Sequence, residues 1–111
     1  MRLEGRSWRP DVAVIKDMES RLVLPERAAG LESYERYYAG DYVGGRKVVV
    51  AVLLDRRMAG PSDTAGDRVA PGVHIRSAPD LPAIGDGGCW MVTVLIQTDS
   101  KGMASVCNHE L

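Results

Sequence analysis

Tyr34-Glu35-Arg36-Tyr37-Tyr38-Ala39-Gly40-Asp41-Tyr42-Val43-Gly44-Gly45-Arg46-Lys47-Val48-Val49-Val50-Ala51-Val52-Leu53-Leu54 is the stretch that decides the fold. Two runs rich in Tyr and Val meet at Gly-Gly, the dipeptide that a type I′ two-residue hairpin turn favours. The alternative is a helix carrying Leu31, Tyr34 and Tyr38 on one side. The β-branched run from Val48 to Val52 fits a pleated surface better. With Gly44-Gly45 as the loop, Val43 faces Arg46, Ala39 faces Val50 and Tyr37 faces Val52.

Working outward, Pro10-Asp11 opens a helix expected over roughly residues 10 to 23, since Pro suits the first turn and Asp the positive end of the dipole. Val14, Ile15, Met18 and Leu22 form its apolar stripe. Residues 55 to 71 read as one long flexible loop, rich in Gly, Pro and Asp. Gly72 to Arg76 reads as a short strand, and Ser77-Ala78-Pro79-Asp80 as a capping-box turn through Ile84. Cys89 to Thr98 is a long apolar strand. Asp99 to Gly102 reads as a three-residue hairpin loop with a bulge, placing Met103 opposite Asp99 and Cys107 opposite Leu95.

These registers sort the side chains. One face of the first hairpin carries Tyr37, Ala39, Val43, Val48, Val50, Val52 and Leu54. The other carries Tyr34, Tyr38, Tyr42, Val49, Ala51 and Leu53, fringed by Arg36 and Lys47. Both faces are apolar, whereas a sheet with one wet side alternates apolar and polar residues. One helix covers one face. The second then needs the long loop, a ligand or another copy of the chain, and a homodimer is the commonest closed solution. The same register sets Cys89 six residues along from the partner of Cys107. At ~3.3 Å per residue that is about 20 Å, too far for a disulfide within the hairpin.

The 111 residues bound the chain to a single α+β domain, spanning 1–111. Its 14 Lys and Arg balance 15 Asp and Glu, and no basic stripe points to nucleic acid. There is no run long enough to span a membrane, and no apolar leader near the start, so no membrane partner and a cytoplasmic location are expected. The two cysteines lack C-x-x-C spacing and read as free or buried thiols.

Candidate chemistry is sparse. His74, Asp86, Cys89 and His109 could assemble as a Cys/His pocket, a thiol nucleophile with its base or a zinc site. Tight ligand pairs are missing, and neither a metal nor a cofactor is expected. Asp86-Gly87-Gly88 runs into a strand and lacks the Lys-Ser/Thr of a phosphate loop. Glu32, Glu35, Asp41 and Asp55 sit at strand edges, where solvated charge is expected. The Tyr34, Tyr38 and Tyr42 row, with Arg36 and Trp90, makes a face both apolar and hydrogen-bonding, suited to a ligand or interface.

A helix followed by a long antiparallel meander resembles the cystatin arrangement. Val43 and Gly45 match the Q-x-V-x-G signature of the first cystatin hairpin, while Asp41 stands where Gln belongs and the Pro-Trp of the second hairpin is absent. The resemblance implies arrangement only. The sequence thus predicts an N-terminal helix on a curved, mostly antiparallel sheet of four to five strands. Its expected function is non-catalytic binding of a small molecule or protein, as a homodimer through the tyrosine face. A small enzyme with the Cys/His pocket and a hairpin-loop protein inhibitor are the alternatives.

Overall fold

Gly44 and Gly45 both adopt left-handed backbone, with φ of 57° and 77°, the conformation a type I′ turn demands. The hairpin they close pairs β1 (Tyr34–Val43) with β2 (Arg46–Asp55) from Val43↔Arg46 to Tyr34↔Asp55. This is the register the sequence predicts. The computed structural model describes residues 3–58, 68–82, 88–98 and 102–108. Around this hairpin stand α1 (Val12–Arg21), β3 (Arg68–Ala70), β4 (Val73–Ile75), β5 (Gly88–Gln97) and β6 (Met103–Asn108). Residues 59–67 of the expected flexible loop lie outside the described residues.

The α+β class and the mostly antiparallel sheet stand, but the expected curved sheet of four to five strands does not. Six strands run in the order β3-β4-β1-β2-β5-β6, in an open sheet that is neither closed nor strongly curled. It is mixed, because β4 runs parallel to β1, with Arg36 opposite Val73 and Tyr38 opposite Ile75. The reason is geometric. Antiparallel β2 returns the chain to the end where β1 begins, so a strand starting there on the far side of β1 shares its direction. The crossover also departs from a cystatin-like meander. Within the expected loop, β3 is only three residues long and pairs with β4 around Pro71-Gly72, too short to leave a periodic signal.

The second hairpin corrects the expected register. Gln97 N–H bonds the Gly102 carbonyl, and Met103 lies opposite Ile96, so Cys107 falls opposite Val92. The shift is three residues, an odd number. It moves Met103 onto the helix side of the sheet, where it packs against the core. A bulge then sets Asn108 opposite Gly88 while Cys107 stays opposite Val92. Cys89 is disulfide-bonded, against the expectation of free thiols. The 20 Å separation assumed an unbulged strand in the wrong register.

Helix α1 is capped by Asp11, whose side chain accepts from Val14 N–H at 3.0 Å. Ile15 and Met18 press onto Tyr34, Tyr38, Val49, Ala51, Leu53, Val73, Ile75, Val92, Val94 and Ile96. The opposite face is also closed within the single chain. Tyr37, Ala39, Val48, Val50, Val52 and Met91 are all buried there, with Leu54 and Leu81 packed on Tyr37, Val52 and Met91. Strand-edge acids predicted to be solvated are buried too: Glu35, Asp41 and Asp55 are each 5% exposed or less.

An N-terminal strap completes β1 where β4 stops. Glu4 N–H bonds the Tyr42 carbonyl, Trp8 N–H bonds the Gly40 carbonyl, and the Trp8 indole donates to the Asp41 carbonyl at 2.8 Å. Arg6 N–H reaches the buried Asp41 carboxylate at 3.0 Å. Gly40 permits this crossing, since a Cβ there would lie 2.2 Å from the Trp8 carbonyl oxygen and 2.5 Å from its ring. Gly40→Ala is therefore expected to displace the strap and destabilise the fold by about 1–3 kcal/mol, as overpacking does. Urea denaturation followed by Trp8 fluorescence measures this; stability equal to wild type would contradict the crossing.

Candidate functional site

The site begins with Asp55, the last residue of β2. Its carboxylate accepts Arg57 N–H at 2.9 Å, Arg57 Nε at 3.1 Å and Arg57 Nη2 at 3.2 Å. The turn that brings Arg57 back is closed by Met58 N–H bonding the Asp55 carbonyl at 2.8 Å. So held, the Arg57 guanidinium lies 4.3 Å from the centre of the Trp90 ring, within cation–π range. Trp90, near the start of β5, is 43% exposed.

Beside this pair, the Tyr34 hydroxyl donates to the Cys89 carbonyl at 2.7 Å and accepts from Ala29 N–H at 3.1 Å. A core side chain thereby ties the segment between α1 and β1 to the start of β5. Between them opens a cavity of about 180 Å³ lined by Arg27, Ala29, Tyr34, Asp55, Arg57, Cys89 and Trp90. A second, of about 260 Å³, shares Ala29, Asp55 and Arg57 and adds Ser33 and Arg56. Each is smaller than the roughly 300–1,000 Å³ of sites for drug-sized molecules, which limits an occupant to a small compound. Arg56 is anchored by its N–H to the Ser33 carbonyl at 3.1 Å and by Nε to Glu35 at 3.2 Å.

The Arg57 side chain, by its hydrogen bonds first and its backbone N–H second, holds the Asp55 carboxyl below the usual carboxylate range. A depressed carboxyl pKa adds order above the ordinary value of about 3.9 and loses it as pH falls through the lowered one. Trp90 fluorescence is therefore expected to change only below about pH 4, as protonated Asp55 releases Arg57. Asp55→Asn should remove that acid transition; an unchanged transition in the variant would assign it elsewhere.

Of the residues singled out in the sequence, Tyr34, Cys89 and Trp90 meet in this cleft. Tyr38 and Arg36 lie apart, beneath α1. Arg36 Nε bonds Glu19 at 2.7 Å, and the Tyr38 hydroxyl donates to the same carboxylate oxygen. Burial, and then that hydrogen bond, push the Tyr38 hydroxyl well above the ordinary phenol range. Tyr42 stands near the hairpin tip with Arg6 over its ring at 4.2 Å. The row is thus split, with Tyr34 and Tyr38 in the core and Tyr42 half-buried.

His74 is fully buried on the other face of the sheet. Its Nε2 lies 2.7 Å from Glu35, and its ring stacks on Tyr37 at 4.7 Å. Asp86 and His109 lie outside the described residues. The two described members of the Cys/His pocket therefore offer neither a free thiolate nor an exposed imidazole. Among the described residues no group of three or more His, Cys, Asp or Glu side chains is placed to hold a metal ion, and no helix is long and apolar enough to cross a membrane.

Sequence reading missed Arg27, Asp55, Arg56 and Arg57. One signal was present: the hairpin register sets Asp55 opposite Tyr34, so Asp-Arg-Arg follows directly at the tyrosine end of the sheet. No protein-family model, curated protein or solved structure matches this chain.

Proposed function

We propose that this protein is a small, non-catalytic binding module whose site is the cleft around Trp90. The observation that carries the reading is the treatment of aromatic side chains. Tyr34, Tyr37 and Tyr38 are buried to 1% exposure or less, while Trp90 is held open to solvent against a guanidinium that Asp55 fixes in place. A large ring with an oriented cation beside it is the pairing found at binding hot spots, and orienting it beforehand lowers the ordering cost of capture.

The module works as a single copy in this reading. The second sheet face, which prompted the expectation of a homodimer, is buried within one chain. The bonded Cys89 supports an oxidising compartment over the cytoplasm, since disulfides persist mainly there.

The test is a nitrogen-15 NMR titration with a panel of small aromatic and aliphatic compounds of each charge, repeated on Trp90→Ala. Shifts confined to residues 27–34, 55–57 and 89–90, and abolished in the variant, are expected. Shifts that cluster elsewhere, or that survive loss of the ring, would overturn the assignment.

A further inference from the structure

The charge of the cleft points to the chemistry of its ligand, an inference that rests on the binding reading above. Its two cavities are lined by three guanidinium groups, those of Arg27, Arg56 and Arg57, and by one carboxylate, that of Asp55. Asp55 is consumed by Arg57, which it grips along the Nε and Nη2 side. This leaves Nη1 and the outer hydrogen of Nη2 with no partner among the described residues, on a side chain that is 74% exposed. Arg27 forms no ion pair or hydrogen bond among the described residues and lines the same cavity as Arg57 and Trp90. Arg56 lines the second cavity and is already paired with Glu35, so its charge adds to the field without needing a new partner.

We infer that the cleft binds a small planar carboxylate, with the carboxylate forked onto the free edge of Arg57 beside Arg27, and the flat body lying along Trp90. Arginine presents parallel N–H donors that match the two oxygens of a carboxylate. A neutral ligand would leave that edge and Arg27 with only water as partner, and a cationic one would meet three like charges. Trp90 supplies the apolar surface that gives a flat ligand its orientation. The floor adds a hydroxyl, that of Tyr34, but it is already committed to Cys89 and Ala29. Selectivity therefore lies with the cations.

The experiment compares benzoate, benzamide and benzylamine, which share one ring and differ in charge, by nitrogen-15 NMR at low salt on the full chain. The two tryptophans give two indole signals, so Trp90 is read directly. Benzoate is expected to shift the Trp90 indole and Arg57 Nε signals, with benzamide at least tenfold weaker and benzylamine without effect. Arg27→Gln, an exposed change that disturbs no described bond, should weaken benzoate several-fold and leave benzamide unaltered. Equal binding of all three at the cleft would overturn the anion assignment and keep the binding module. Absence of all three from the cleft, with the panel compounds bound elsewhere, would overturn both.

Discussion

Glu19→Ala is expected to destabilise the protein by about 3 kcal/mol, in the range for breaking one side of a buried ion pair. Glu19 is the only acidic partner of Arg36 among the described residues and also accepts from the Tyr38 hydroxyl. Both dependents are buried. Arg36 keeps its bonds to the Leu31, Tyr34 and Pro71 carbonyls, but these do not neutralise its charge. The alanine variant leaves a guanidinium and a phenol facing the apolar Ile15 and Met18 side of α1. Glu19→Gln keeps an acceptor for Tyr38 and should lose roughly half as much. Guanidinium chloride denaturation of the two variants checks this ordering. Equal effects would show that the charge contributes nothing, and negligible effects would contradict the junction itself.

Glu35→Ala is the second large effect, expected at about 2–3 kcal/mol. This carboxylate lies 2.7 Å from His74 Nε2, 3.2 Å from Arg56 and 3.9 Å from Arg68. The two arginines are half exposed and turn to water when it is lost. His74 is wholly buried and cannot turn to water, and that asymmetry sets the magnitude. Because Arg68 belongs to β3, the same change should loosen the sheet edge. Hydrogen exchange in β3 and β4 is expected to accelerate more than in β5 and β6, which lie beyond β2 and do not pair with the strand of Glu35. Uniform acceleration would mean that Glu35 serves the whole fold instead of its edge. Glu35→Gln should restore most of the protection at His74.

How much of this was legible in the sequence differs by element. The Gly44-Gly45 hairpin was fully legible, because a two-residue loop leaves one register and Tyr and Val pattern both strands. The second hairpin was not. Its loop, Thr98 to Gly102, admits more than one closure, and local turn chemistry cannot see the bulge that sets Asn108 opposite Gly88. Both β1 and the short strand at 72 to 76 were readable, but their parallel pairing is a long-range contact over only three residues of each, and no local pattern names the partner. The buried acids were missed for a related reason. Glu35 and Asp55 look like edge charges in one dimension, and only the return of Arg56, Arg57 and Arg68 makes their burial tolerable. In the cleft, Trp90, Tyr34 and Cys89 were readable as candidates. Of their cationic companions, Arg56 and Arg57 sat at the start of a segment whose path the sequence leaves open, and Arg27 lies in the irregular stretch between α1 and β1.

Trp90 stands open within a cationic cleft. Collisional quenching of its fluorescence, in a Trp8→Phe background that leaves Trp90 as the only tryptophan, tests this without any ligand. Iodide and caesium report the charge around an exposed ring. Strong quenching by iodide and weak quenching by caesium are expected at low ionic strength. The difference should shrink in Arg27→Gln and vanish toward 1 M salt, where the screening length falls to about 3 Å. Equal quenching by the two ions, or protection from both, would contradict it.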